Sequence, residues 1–243
     1  MPRRAKNAGK RTTTGVEAVD RAIQILNCFN DGKPQLSLAE LAASSGLYKS
    51  TILRVLNSLE AGGLVLRDDD KSYRFGPKLM QWGSLYQKSL RLDHVIRPVL
   101  RGLVEAAGES ASFFRRDGDS RICLFREDSR QNVRDQIREG DILPLEVGAA
   151  GRLLLDFGNI AKPASKRRAL FAKLPYVSIG ERDTAAAGLA APVFSAREGL
   201  LGALTLSGSI TRFTASRIVE MSQMLLQAST ALSATLGGTD MSQ

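Results

Sequence analysis

The chain has 243 residues, of which 43% are hydrophobic, so it can form one large domain or two smaller ones with buried cores. Its net charge of +9 favours a polyanionic partner. A single histidine, His94, and two cysteines, Cys28 and Cys123, argue against a zinc site, a disulfide framework and a histidine-dependent catalytic triad. Without an apolar run of transmembrane length or a secretion signal, we expect a cytoplasmic protein with no cofactor and no membrane partner.

Residues 1–14 form a basic segment with no acidic residue and almost no apolar one. Such a composition predicts a disordered arm when the protein is free. The arm either enters a minor groove or contacts phosphates, or it is a solubilising tail.

Residues 15–76 have the pattern of a winged helix-turn-helix. A first helix, expected to complete a small core, is indicated by Val16, Val19, Ala22, Ile23, Leu26 and Phe29. Ser37 followed by Glu40 is a capping box that predicts the start of a second helix. Gly46 then supplies the turn between the two helices of the motif.

The predicted recognition helix runs from about Tyr48 to Ala61, and a hairpin formed by Leu64–Arg67 and Ser72–Phe75 follows as the wing. Side chains at the start of a recognition helix reach base edges in the major groove. The predicted DNA contacts are Lys49, Ser50, Thr51, Arg54 and Asn57 on the helix, with Lys71 and Arg74 on the wing. The alternative is a helical hairpin with an ordinary solvated face.

Residues 77–91 are predicted to form a linker helix with one apolar stripe, which contains Leu79, Trp82, Tyr86 and Leu90. The stripe packs either on the same chain or on a second copy. We favour a dimer, because a winged helix commonly reads paired half-sites.

Residues 92–238 alternate helices with short strands, which predicts an α+β domain with a mainly antiparallel sheet. Asp117-Gly118 marks a hairpin, and Gly148–Phe157 is predicted to be a helix. Strands follow at Gly188–Phe194 and Leu200–Ser207, and a last helix starts near Thr214.

The start of the Gly148–Phe157 helix exposes backbone amides at Ala150 and Gly151, a natural carboxylate site. Thr205 and Ser207 are two residues apart on one strand, so their hydroxyls share a face. If these groups meet, they form a small pocket for an anionic metabolite. Otherwise the small residues allow tight helix packing and the hydroxyls are satisfied locally.

The chain resembles the isocitrate-lyase-regulator (IclR) family of bacterial transcription factors from about Gly15 to Gly238. The resemblance is carried by SLAELAASSGLYKSTILRVLNSLEAGGLV, LPLEVGAAGRLLL and LGALTLSGSITRFT, in that order. It implies a winged helix, a linker helix and a GAF-like effector domain. It also implies a dimer or dimer of dimers, binding of small carboxylates or aromatic acids, and no catalysed reaction.

The resemblance also places an effector site, at Ala150, Gly151, Thr205 and Ser207. Two further pocket positions depart from the family, because Ser178 stands where an acidic residue is common and Gly188 where a cysteine is common. Glu146 and Arg152 also replace residues that are often His and Lys, and the short segment between Phe157 and Leu170 suggests a shortened helix. These departures predict a roomier, less acidic pocket, suited to a larger or aromatic acid.

The sequence therefore predicts a repressor or activator that an acid effector controls. The alternative is a constitutive DNA-binding regulator whose C-terminal domain only oligomerises. An enzyme with an accessory DNA-binding module is disfavoured, because no nucleophile–base pair or metal constellation is evident.

Overall fold

A computed structural model of the chain describes residues 15–31, 33–158 and 164–238. The fold divides into two compact units, with the boundary between Ser89 and Leu90. The predicted basic arm, residues 1–14, lies outside the described residues. The two units have the α+β class that the sequence predicts, a helix-turn-helix unit followed by a unit with an antiparallel sheet.

The described part of the first unit consists of helices and one short hairpin. Its elements are α1 (Glu17–Asn27), a 3-10 turn (Cys28–Asp31), α2 (Leu38–Ser45), α3 (Lys49–Ala61), β1 (Val65–Arg67), β2 (Tyr73–Phe75) and α4 (Pro77–Leu90). β1 and β2 pair antiparallel, as expected for a wing.

The capping box at the start of α2 is confirmed. The Glu40 amide donates to Ser37 Oγ at 3.2 Å, and the Ser37 amide donates to Glu40 Oε2 at 2.9 Å. Gly46 ends α2 with φ +70°, a left-handed conformation that favours glycine. The turn therefore lies where the sequence places it, and it sets the start of α3.

The core of the first unit contains part of the predicted apolar set. Phe29 is buried in the cluster that contains Ile52 of α3, and Ala22 and Leu26 pack against it. Ile25, which the sequence analysis did not include, is buried there too. The expectation that Val16, Val19 and Ile23 complete this core is wrong, because each is more than half exposed. They lie on a second face of α1, which this unit does not cover.

The described part of the second unit is built around one sheet. Its helices are α5 (Asp93–Ala107), α6 (Gly148–Phe157), α7 (Ala164–Phe171) and α8 (Ala215–Thr235). Its strands are β3 (Ser110–Asp117), β4 (Ser120–Glu127), β5 (Ile142–Pro144), β6 (Tyr176–Ile179), β7 (Ala186–Ser195) and β8 (Gly199–Ser209).

The sheet order is β5-β4-β3-β8-β7-β6, and neighbouring strands pair antiparallel. Successive side chains point to opposite faces, so the two faces carry separate cores. Phe113 packs with residues of α5 and α8, whereas Phe114 packs with residues of α6. The functional cavity described below lies on the α6 face.

Two elements, α7 and β6, differ from the sequence-based expectation. In the segment between Phe157 and Leu170, where the resemblance suggests a shortened helix, the eight-residue helix α7 begins at Ala164. Its sequence, ASKRRALF, has large apolar residues only at its end, so it carries no amphipathic stripe. β6 is four residues long and gives too little alternation to be recognised.

Candidate nucleic-acid interface and effector cavity

The predicted DNA contacts on α3 are mostly free side chains. Lys49, Ser50, Arg54 and Asn57 are exposed, and Thr51 is half-buried. Within the part of the chain that the structure describes, the side chains of Lys49, Arg54 and Asn57 form no hydrogen bond or ion pair. Because the opposite face of α3 is buried in the core, this face presents unpaired donors to an approaching duplex.

The wing differs from α3 because its basic side chains stand among carboxylates. Arg74 Nε donates to Asp68 Oδ1 at 2.8 Å, so much of its charge is already balanced. Lys71 is exposed in the turn, with φ +67°, next to Asp70. Asp70 accepts hydrogen bonds from Ser72, which stabilise the turn and lower the pKa of the Asp70 carboxyl. The wing is therefore the less cationic half of the surface.

A cavity of about 60 Å³ lies in the second unit between the first turn of α6 and the sheet. Its lining comes from segments far apart in the sequence. The polar side chains that line it are Arg121, Asp135, Ser178, Arg182, Asp183, Thr205 and Ser207. Apolar walls are added by Phe114, Ile137 and Leu189.

Strand register places three of the predicted effector residues in one row across the sheet. Ser178 of β6 pairs with Gly188 of β7, and Gly188 pairs with Ser207 of β8. All three residues line the cavity, and so does Thr205. Antiparallel pairing thus brings together positions that are up to thirty residues apart in the sequence.

The start of α6 contributes to the cavity through Gly148, Ala149 and Ala150, but Gly151 is not among the lining residues. A Cβ on Gly151 would lie 2.3 Å from Arg121 Nη1 and 2.3 Å from the Leu145 carbonyl oxygen. Gly151 therefore permits close packing of α6 on β4. At the first position of α6, the Gly148 amide donates to Glu181 Oε2 at 3.2 Å.

The two predicted strand hydroxyls differ in their bonding. Thr205 Oγ1 donates to the Ser112 carbonyl oxygen at 3.1 Å, so it is satisfied within the sheet. Ser207 Oγ is buried and has no hydrogen-bond partner among the described residues. Ser207 is thus the hydroxyl that a bound molecule would satisfy.

Arg121 of β4 is a buried cation that the sequence analysis missed. It is 3% exposed, and its Nη1 donates to the backbone carbonyls of Pro144 and Val147. No described carboxylate lies within ion-pair distance of it, and its Nε has no described partner. Burial, with the charge of Arg182 as a second cause, lowers the pKa of Arg121 to about 10, so the guanidinium stays charged near neutral pH. A cation in this position favours an anionic occupant.

Two carboxylates that the sequence analysis did not place in the cavity, those of Asp135 and Asp183, line it. Asp135 lies in a stretch without regular secondary structure, so no periodic signal points to it. A signal for Arg121 did exist: it is two residues from the buried Cys123, so both side chains point to the same face of β4. The volume of about 60 Å³ is enough for several waters, at roughly 10–15 Å³ each.

His94 and Cys123 belong to residue types that often carry reactive chemistry. His94 is exposed in the first turn of α5, and burial raises the pKa of the Cys123 thiol to about 12. Among the described residues, no group of three or more His, Cys, Asp or Glu is placed to hold a metal ion. No described helix has both the length and the apolar composition that crossing a membrane requires.

Comparison with known proteins identifies both units. The sequence model of the IclR helix-turn-helix domain matches residues 18–69, and that of the bacterial transcriptional regulator IclR C-terminal domain matches residues 84–172. Together they match more than half of the chain. The HTH-type transcriptional regulator KipR of Bacillus subtilis (strain 168) is 26% identical over 92% of this chain and 98% of its own length.

Two solved structures show the same fold. An IclR transcriptional regulator from Silicibacter sp. TM1040 matches with a TM-score of 0.72 and 24% identity, over 91% of this chain and 97% of that one. An IclR homolog from Microbacterium hydrocarbonoxydans, complexed with 4-hydroxybenzoate, matches with a TM-score of 0.75 and 19% identity, over 91% and 99% of the two chains. Since both family domains occur here in sequence, the chain belongs to the IclR family of DNA-binding transcriptional regulators, which are not enzymes.

Proposed function

We propose that this regulator represses or activates transcription in response to a small organic or aromatic acid that binds in the cavity beside α6. The observation that carries the proposal is Arg121, a buried cation on the cavity wall without a carboxylate partner among the described residues. An acid supplies the missing negative charge, and it also finds the positive end of α6 at the same wall.

The proposed DNA interface is the exposed face of α3. Arg54 and Asn57 are assigned to base edges, because their side chains can read guanine and adenine bidentately. Lys49, Ser50 and Thr51 are assigned mainly to phosphates near the start of the helix. Lys71 and Arg74 of the wing are assigned to the flanking backbone, in a smaller role because of Asp68.

The proposed effector site consists of Ala150, Gly151, Ser178, Gly188, Thr205 and Ser207, extended by Arg121. Gly151 would act indirectly, by letting α6 approach Arg121. The Microbacterium homolog complexed with 4-hydroxybenzoate supports an acid effector for this fold. A ligand as large as that would require the cavity walls to move outward, since the enclosed volume is about 60 Å³.

The second candidate is a constitutive regulator whose C-terminal unit only oligomerises. Three observations favour it: the small cavity, the satisfied Thr205 hydroxyl, and the Glu181 carboxylate already bonded to the Gly148 amide. The unpaired Arg121 and Ser207 groups favour the effector-controlled regulator. Buried polar groups are nearly always hydrogen-bonded, so unpaired ones on a cavity wall favour a ligand as their partner.

A thermal-shift screen of the full chain separates the two candidates. Acids and their neutral amides form matched pairs, for example acetate with acetamide and benzoate with benzamide. A ligand that binds the folded state raises the melting temperature, and we expect the acids alone to do so. Binding acids should also change the affinity for a duplex selected by this protein from a random pool. A screen in which no acid shifts the melting temperature contradicts the effector proposal.

We further propose a homodimer, or a dimer of dimers, that forms through α4. No residue of α4 is buried, and its exposed apolar residues are Met80, Trp82, Leu85 and Tyr86. Several large apolar side chains exposed on one helix indicate an interaction site. Sedimentation equilibrium tests the proposal: Trp82→Ser with Tyr86→Ser should shift the protein towards monomer, and an unchanged mass would contradict it.

The proposed domain organisation is a basic arm at 1–14, a winged helix at 15–76, a linker helix at 77–91 and an effector domain at 92–238. A bacterial DNA-binding regulator works beside the chromosome, so we assign it to the cytoplasm.

A further inference from the structure

Three buried polar atoms beside the cavity lack a hydrogen-bond partner among the described residues. They are Arg121 Nε, Ser207 Oγ and Asp135 Oδ2. All three residues line the cavity. Buried polar atoms nearly always have a hydrogen-bond partner in folded proteins. Three unpaired atoms around one small cavity are therefore groups that a bound ligand could pair with. A cation, a hydroxyl and a carboxylate oxygen need different partners, and this restricts the chemistry of the ligand.

Asp135 has one hydrogen-bonded oxygen and one that has only a long ion pair. Its side chain is 1% exposed, and Arg126 Nη2 donates to Oδ1 at 2.6 Å. Arg182 Nη2 lies 3.8 Å from Oδ2, too far for a hydrogen bond. A carboxylate oxygen paired in this way only accepts hydrogen bonds. The Oδ2 atom therefore calls for a donor on the ligand.

The donor should be neutral. Two guanidinium groups, those of Arg126 and Arg182, already surround Asp135. An ammonium group would be repelled by both, whereas a hydroxyl adds no charge. Arg121 lies at the start of β4, and Arg126, which binds Asp135, lies near its end. At the Arg121 end of the cavity, the buried cation favours an anion.

We infer, building on the proposed acid effector, that this regulator is selective for hydroxy acids. The carboxylate of the ligand lies at Arg121, and its hydroxyl donates to Asp135 Oδ2. Asp135 is then the specificity-determining residue. It supplies the carboxylate that other family members commonly have at the position of Ser178. The apolar walls Phe114, Ile137 and Leu189 enclose the carbon skeleton between the two polar ends.

The test compares matched acids on the unmodified full chain by titration calorimetry. Propionate, lactate and alanine form one series, and benzoate with 4-hydroxybenzoate forms a larger pair. A hydrogen bond to a charged acceptor predicts that the hydroxy acid binds about tenfold to a hundredfold more tightly than the parent acid in at least one series. Alanine should bind no better than propionate.

Two variants locate the effect. Asp135→Asn keeps an oxygen for Arg126 but places a donor amide towards the ligand, so the preference for the hydroxy acid should fall to about onefold while the parent acid still binds. Arg121→Gln is the matched control: it removes the cation at the carboxylate end, so it should weaken both acids and leave their ratio unchanged. The melting temperature shows whether each variant is folded, and the comparison on the unmodified chain stands if Asp135→Asn is not.

Each outcome decides between the two proposals. Equal binding of parent and hydroxy acids overturns hydroxy-acid selectivity and leaves the acid effector intact. A ratio that survives in folded Asp135→Asn also overturns the role of Asp135. If none of the acids binds, both the effector proposal and the selectivity fail.

Discussion

The DNA-reading face of α3 and the cavity beside α6 hold their polar side chains in opposite ways. Lys49, Arg54 and Asn57 project from one helix into solvent, without partners among the described residues. Arg121 and Asp135 are buried, and their neighbours come from distant segments. An exposed functional residue can therefore change without affecting the fold, whereas a buried one contributes to binding and stability together.

The largest expected effect comes from the buried side. Asp135→Ala leaves the Arg126 guanidinium, 4% exposed, without its most buried partner, and breaking such a pair costs about 3 kcal/mol of stability. Asp128 still pairs with Arg126, so a larger loss is not expected. Urea unfolding measures the change. Asp183→Ala, at an exposed aspartate of the same cavity, should cost less than about 1 kcal/mol. If the two variants lost the same free energy of unfolding, burial would not explain how much an aspartate of the cavity contributes to stability.

The next effect is on DNA binding alone. Arg54→Ala should weaken specific binding by about 1–3 kcal/mol if Arg54 reads a base. Its stability should stay within about 0.5 kcal/mol of the parent, because the side chain is exposed and unpaired. Arg197→Ala removes the same charge from an exposed turn of the second unit and serves as the control. If both variants lose the same affinity in a titration with the selected duplex, Arg54 acts only through net charge.

A smaller effect is expected at the wing. Arg74→Ala should cost less than about 1 kcal/mol of DNA affinity, because Asp68 already balances its charge in an exposed pair. Asp68→Asn should do the reverse and strengthen binding, by freeing Arg74. Salt titration of both variants distinguishes the cause, since each phosphate contact adds to the salt dependence. If Arg74→Ala lost as much DNA affinity as Arg54→Ala, the wing would contribute as much to DNA binding as α3 does.

The smallest effect is a pH dependence at the start of α2. The Lys33 ammonium, which donates to Glu40 Oε1, and the Ser37 amide lower the pKa of Glu40 from 4.5 to about 2. A lowered folded-state pKa stabilises the protein above the unfolded value, and this stabilisation is lost as the pH falls from about 4.5 to about 2. Thermal melts across this range should show a steeper decline for the parent than for Glu40→Gln. Parallel curves would show that Glu40 contributes nothing through its charge.

Local signals were sufficient for most of the first unit. The capping box at Ser37, the turn at Gly46 and the recognition helix follow from residues within a few positions of one another. The exposed face of α1 was misjudged, because periodicity identifies an apolar stripe but not the surface that covers it. The helix Gly148–Phe157 was predicted with its observed bounds, since its signal is also local.

Only some of the cavity residues could be predicted, because the others are brought together by tertiary contacts and not by a local sequence signal. Thr205 and Ser207 were paired correctly by strand alternation, and the family resemblance added Ser178 and Gly188. Asp135 could not be found, because it lies between strands where no period operates. Its role depends on Arg126 and on the sheet register that places Ser112 beside that arginine.

The sequence by itself determined the family, the fold class and the exposed face of α3 that is proposed to contact DNA, because short-range spacing sets helix starts, helix faces and turns. Only the tertiary structure decided which charges meet in the cavity. Ion pairs and hydrogen bonds act over a few ångströms, and the charged residues of the cavity are spread from Arg121 on β4 to Asp183 after β6, so only folding brings them within that range.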